Sequence, residues 1–437
     1  MLKAGFSRVD MTPPLGSPMA GYFEYREAEG ILDPLELNAI AVSDGENTIL
    51  VVTADILYAN EVFATNVRNC IEKRTGVPAD HVFLQGLHQH TSVALGATVQ
   101  SKSIANSFYD APYQDVLIRK YEDVCVMAIA DMVDATVGVA QQETAELISF
   151  IRRYRMKDGS VRTNPGFLNP NILEPIGEAD NTVRLVRFHR EGAKDIALVN
   201  FSTHPDTVGG CRISADWPGK ARRFSEKKLA GAKCMVVNGA EGDTNHVDVS
   251  DPGQTVGYQM STIMGNGITD VVVELWDQVK EVETGKIWGK VEMKYIPTNT
   301  KGLEETEQYQ ALRAQIARGE VEKPKDIATL GEIYRIAELQ KELLFQKVPV
   351  SVLCIGKVGF VGFGGEPFME YAAAARKAGK EIYVITACLA NGGQGYLPSK
   401  EAFDEGGYEA QTSRFTPTVA EVLQGCAADL LEEYRNL

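Results

Sequence analysis

Apolar runs that break off abruptly into polar residues recur along the chain, with helix-patterned segments between them. "TVRLVRF", "DIALVNFSTH" and "AKCMVVNGAEGD" follow one another in the middle of the sequence. Strands that are apolar throughout need cover on both faces, which points to a buried sheet of the α/β type. The segments "WPGKARRFSEKKLAG" and "VGYQMSTIMGNGITDVVVELWDQV" supply helical cover. The first quarter reads as short strands, with an Asp44-Gly45 hairpin signal inside "LELNAIAVSDGENTILVVTADI". A second such signal is Asp158-Gly159. The stretch 302–345 is charged, helical and split at Pro324, and reads as two exposed helices, an insertion or a lid. The strand–helix pattern then resumes to a C-terminal helix after Thr416-Pro417. No repeat or low-complexity linker divides the 437 residues, so one domain over 1–437 is expected.

Charge narrows the partners. With 44 basic and 59 acidic residues the formal charge is −15, and no Lys/Arg cluster interrupts it. Nucleic-acid binding depends on neutralising phosphates, so neither nucleic acid nor an anionic membrane surface is an expected partner. No apolar run has the length of a membrane span, and the N-terminus lacks the apolar core of a secretory signal. Seven scattered cysteines without a CxxC read as buried thiols. A soluble, cytoplasmic protein acting on a small molecule is the expectation.

Ligands of α/β proteins collect beyond the carboxyl ends of strands. Here "VFLQGL" ends at His88 and His90, "IALVNFST" at His204, "CMVVNGAEG" at Asp243, Asn245 and His246, and "KVGFVGFGG" at Glu366. "HVFLQGLHQH" reads as a strand running through His90, in which residues two apart point to one side, so both imidazoles are expected to face one cavity. The pair is either a metal site or a set of hydrogen-bonded core histidines. Two imidazoles and a carboxylate make a normal zinc set, and an open fourth position would make it catalytic.

These landmarks, in this order, resemble the neutral/alkaline non-lysosomal ceramidase family in its N-terminal catalytic domain. "LHQHTSVALG" corresponds to that family's "THTHSGPGG", and "FSTHP" to its "FxxHP". "SADWPGKA" corresponds to "SxDxxGxA", "GGEPFMEYAAAAR" to an acidic "GEF" before a helix, and "NGGQGYLPSKEAFDEGGYE" to its tyrosine-bearing end motif. The resemblance implies an α/β fold with a mixed β-sheet core flanked by helices. It also implies one Zn²⁺ per chain held by His88, His204, Glu366 and Tyr396. His90 would be the acid/base imidazole, Tyr408 an oxyanion donor, and Arg152 (rather than Arg153) a group facing the substrate. Asp243, in "GAEGDTNH", would orient a histidine through its other ring nitrogen.

The sequence departs from the family where its serine aligns with Asn245 and its proline with His246; Gly393 replaces the first tyrosine of the end motif. An amide cannot attack a carbonyl, so metal-activated water is the remaining nucleophile. The reading is a zinc-dependent hydrolase of an amide bond in a soluble N-acyl compound. Its alternatives are a metal-dependent esterase or lactonase, a non-catalytic zinc- or ligand-binding homologue, and a carbohydrate or phosphoester hydrolase. The last is favoured only if a polar, anion-lined pocket replaces the apolar cleft an acyl chain needs.

Overall fold

The computed structural model describes residues 2–96 and 111–437. Three antiparallel strands open the chain: β1 (Lys3–Asp10), β2 (Glu36–Ser43) and β3 (Thr48–Ala54). The β2–β3 turn forms where Asp44-Gly45 predicts it. Gly45 takes φ 97°, and the Asp44 carboxylate accepts from the backbone N–H of Glu46 and Asn47. Helix α1 (Glu61–Thr75) is capped by Asn60, whose side chain accepts from Phe63 N, and stops at left-handed Gly76. It returns the chain to β4 (Val82–Gly86), parallel to β3. After α2 (Ala111–Ala130) come β5 (Val133–Glu143), β6 (Thr182–Arg190) and β7 (Ile196–Phe201), antiparallel in turn. Helix α3 (Asp216–Lys228) then leads into β8 (Lys233–Asn238), parallel to β7, and α4 (Gly257–Leu275) follows. The strand order is β8-β7-β6-β5-β1-β2-β3-β4.

The later strands do not extend this sheet. β9 (Ile287–Pro297), β10 (Phe345–Ile355), β11 (Val358–Phe363) and β12 (Tyr383–Ala387) form a second, four-stranded sheet. The two sheets pack face to face: Ile40, Val51, Phe83 and Leu198 of the first meet Leu353, Phe360 and Ile385 of the second. The opposite faces are covered by helices. Leu50 and Val52 pack under α1 and α2, and Val199 and Val236 under α3 and α4. Val352 and Phe363 pack under α7 (Met369–Gly379) and α8 (Val419–Arg435). The order of layers is helix, sheet, sheet, helix, so side chains on both faces of β3, β4, β7, β8 and β11 are buried, while β5 and β9 keep exposed positions. That accounts for the uniformly apolar runs; each fully buried Leu, Val or Phe contributes about 1.5–3 kcal/mol.

The helical stretch after β9 differs from its expectation. Between its two helices, α5 (Thr306–Ala317) is largely exposed, but α6 (Ile327–Ala337) buries Leu330, Ile333, Tyr334 and Ile336. Apolar residues three and four apart give α6 a covered face, which packs on a short helix, Tyr408–Thr412. Among the described residues all seven cysteines are free, and no helix is long and apolar enough to cross a membrane.

The carboxyl ends of β4, β8 and β12 meet at one place. Gln85 of β4 donates from Nε2 to Asn238 O of β8 at 2.6 Å and to Cys388 O, just past β12, at 2.9 Å. The candidate site sits immediately beyond this junction.

Candidate metal centre

The histidines converge, though not by strand alternation. β4 ends at Gly86, and His88 adopts φ 74°, a left-handed conformation rare outside glycine. The resulting turn, rather than a two-residue strand period, aims both rings inward. His88 Nε2 lies 3.1 Å from His204 Nε2 and 3.4 Å from His90 Nε2. Glu366 Oε2 is 3.4 Å from His88 Nε2. The ring nitrogens facing away are held by carbonyls: His88 Nδ1 donates to Leu57 O at 3.0 Å and His204 Nδ1 to Glu241 O at 3.3 Å. That fixes the tautomers and leaves the Nε2 lone pairs pointing at the centre.

Gln89, between the two histidines, points the other way and is wholly buried. Its Nε2 donates to Asp55 Oδ1 at 2.9 Å, and Asp55 is in turn bridged by Arg222 at 2.7 Å. The segment leading into α3 holds the other side: Ser214 N donates to Thr91 O at 3.3 Å. Asp216 accepts from Val208 N at 3.0 Å, bracing the loop that follows His204. The motif "SADWPGKA" thus supports both histidine loops without reaching the centre.

The field at the centre favours positive charge on His88 and opposes it on His90 and His204. Burial pushes the His88 imidazole down, but the Glu241 and Glu366 carboxylates outweigh it and leave its pKa at about 9. Burial and the neighbouring His88 charge take His90 to about 3. His204 is also pushed down, by burial and then by Arg152. Burial raises Glu241 to about 8. Glu366 Oε2 and Glu241 Oε1 have no hydrogen-bond partner among the described residues. Three convergent Nε2 atoms, all within 4.8 Å of one another, beside an unsatisfied buried carboxylate fit a divalent cation of the zinc type.

Tyr396 and Tyr408 stand beside the cluster, with ring centroids 5.4 Å apart; the Tyr396 ring stacks toward His204 at 6.4 Å. Both tyrosines line the cavity in front of the cluster, together with His88, His90 and Glu366. Two other expected roles, those of Arg152 and Asp243, meet a different geometry. Arg152 does not line the cavity. Only 4% exposed, it donates to Glu409 Oε1 at 2.8 Å and Gly242 O at 2.9 Å and lies behind Tyr396, with Cζ 5.1 Å from that ring's centre. Arg153 is tied to Glu405 and Gly406 O. Asp243 orients no histidine: its Oδ1 accepts from Met369 N at 2.9 Å, at the start of α7. Leu57 O and Glu241 O hold the rings instead. Replacing Asp243 with alanine should cost about 0.5–2 kcal/mol, as for other helix caps, with metal content unchanged. A urea melt and metal analysis on one sample check both halves.

Asn245 is buried, and its Oδ1 accepts from Val247 N at 3.0 Å. His246 Nδ1 pairs with Asp206 Oδ1 at 3.1 Å, which holds the Asp206 carboxyl down at about 2 against its burial. Glu241 and Asp206 were not expected from the sequence. Glu241 lies three residues past the end of β8 in "NGAEGD", and Asp206 five past the end of β7 in "THPD", and that proximity was the available signal.

No protein-family model matches this sequence, and no curated protein matches it. Solved structures do. The neutral ceramidase from Pseudomonas aeruginosa matches with a TM-score of 0.75 at 16% identity, over 100% of this chain and 74% of that one. A ceramidase complexed with C2 matches with a TM-score of 0.74 at 14% identity, over 100% and 75%. At these identities the likeness establishes the fold alone.

Proposed function

We propose that this chain, whose fold is that of the neutral ceramidases, is a metal-dependent hydrolase cleaving an amide bond in a small N-acyl compound. One observation carries the reading: His88, His90, His204 and Glu366, from three distant strand ends, meet in one cluster, and three of them (His88, His90 and Glu366) line a cavity. His88, His204 and Glu366 would hold the ion, with Tyr396 beside them as a further oxygen donor. A divalent ion bound there polarises the scissile carbonyl and acidifies water.

The remaining steps fall to the chain's own side chains. His90, whose Nε2 lies 3.4 Å from that of His88 and which lines the cavity, would accept the proton of the attacking water at Nε2 and return it to the departing amine. Tyr408 on the cavity wall donates its hydroxyl to the oxyanion of the tetrahedral intermediate. Arg152 acts from behind: its charge favours electron density on the Tyr396 oxygen, opposing the burial that pushes that phenol's pKa up.

The test is Tyr408→Phe assayed on N-acyl substrates. Turnover should fall about 10²–10³-fold, as for loss of one oxyanion donor, with metal content and KM close to wild type. Unchanged turnover would remove Tyr408 from the mechanism. A matched ester series tells an amidase from an esterase by which bond is cut faster.

A further inference from the structure

The cavity in front of the histidines holds about 530 Å³, room for a ligand of one or two sugar rings. Among the described residues its walls are not those of an alkyl slot. Planar amides stand around it: Gln310, Gln340, Gln346 and Gln394. Three of these are anchored through nitrogen alone. Gln310 Nε2 donates to Ala337 O at 3.1 Å, Gln346 Nε2 to the Thr298 hydroxyl at 3.4 Å, and Gln394 Nε2 to Lys347 O at 2.7 Å. No hydrogen bond among the described residues uses their amide oxygens. Glu61 and Glu338 add carboxylate acceptors, the latter shared with Arg414 at 2.7 Å. An acceptor-rich wall suits a ligand bearing many hydroxyl donors.

Aromatic packing bounds the space on two sides. Phe23 lies 4.8 Å from the Tyr334 ring and 6.3 Å from the Tyr408 ring, and the Tyr334 hydroxyl donates to Phe23 O at 3.0 Å. This pins α6 against the N-terminal loop. Across the cavity, Gly393 touches Tyr58 so closely that a Cβ there would stand 2.6 Å from the ring. The aliphatic lining (Leu57, Val62, Leu339, Leu343) is scattered between polar groups. A long acyl chain needs continuous apolar contact, and it would strip water from these amides and carboxylates without replacing it.

Resting on the amide-hydrolase reading and deepening it, we propose that the substrate is a short-acyl, hydroxyl-rich N-acyl compound. It would be one or two sugar rings in size and held by the acceptor amides and aromatic faces; long-chain lipid amides are not substrates.

The metal-loaded protein is assayed on N-acetylglucosamine and its β-1,4-linked dimer, on N-acetylbenzylamine, and on micellar N-palmitoyl sphingosine. The expected result is at least about tenfold higher kcat/KM on a sugar amide than on the benzyl amide, and no release from the lipid. Gln346→Leu and Gln394→Leu should each raise KM for the sugar about threefold to tenfold, the worth of one hydrogen bond, with kcat and metal content kept. Equal or faster cleavage of the benzyl or lipid amide overturns the proposal. If no amide is cleaved, the hydrolase reading fails, and saturation-transfer NMR still decides the ligand class. Signals from the sugars that weaken in the glutamine variants support it; no transfer from the sugars overturns it.

Discussion

His88→Ala is expected to lose its stoichiometric divalent ion and, with it, all turnover above background. Of the four groups at the centre, His88 is the one that touches each of the others, at 3.1 Å, 3.4 Å and 3.4 Å. Without it the His204 and His90 nitrogens lose their shared neighbour. The Glu366 and Glu241 carboxylates also lose the imidazole that both act on most directly. Metal analysis of dialysed wild type and variant by mass spectrometry reads the outcome, with about one ion per chain expected in the wild type, as in a mononuclear zinc site. A variant that keeps its metal would mean the cation sits elsewhere, and the proposed chemistry would fall with it.

Arg222→Met should destabilise the chain by about 3–5 kcal/mol, the usual cost of removing one partner from a buried ion pair. Arg222 has no solvent exposure; its Nη2 meets Asp55 Oδ2 at 2.7 Å and its Nε meets Glu36 Oε2 at 2.7 Å. The variant leaves both carboxylates under the sheet without that countercharge. Denaturant midpoints measure the loss, and a change under about 1 kcal/mol would show that the network relaxes around the gap. Acid adds a second signature. Burial pushes the Glu36 carboxyl up, but Arg222 and then Arg8 outweigh it and hold it below the usual 4.5. Its folded pKa is therefore depressed. Its contribution is full above about pH 4.5 and disappears as pH falls through the folded value. The wild type should lose stability along that limb, and Arg222→Met should show a flatter one.

Much of the centre was legible because polar residues interrupt apolar strands at fixed places. His88, His204 and Glu366 sit at such interruptions, whereas Tyr396, in the loop "NGGQGYLPS", was marked by the family resemblance; all four stand at or beside the cluster. The partition into two sheets was not legible: "VSVLCI" and "IALVNF" read alike, since a strand covered on both faces looks the same in either sheet. Nor was the manner in which His88 and His90 meet. That depends on a backbone rotation after Gly86 that no side-chain pattern encodes. Asp243 attracted attention as the carboxylate in a motif, whereas the group near the histidines is Glu241, two residues earlier. Which of two neighbouring acids faces inward is decided by the turn that seats α7 on Asp243. The burial of α6 was masked by its charged neighbours, which dominate the composition of 302–345.

The left-handed backbone of His88 sets two selective pressures against each other. A non-glycine residue held at such an angle stores of order 1–3 kcal/mol, which glycine would release at the cost of the imidazole. Laboratory evolution for heat tolerance alone would therefore drift toward a glycine at this position and yield sturdier, inert proteins. Any campaign to harden this scaffold needs a functional screen in every round, because here the most comfortable backbone and the working one belong to different amino acids.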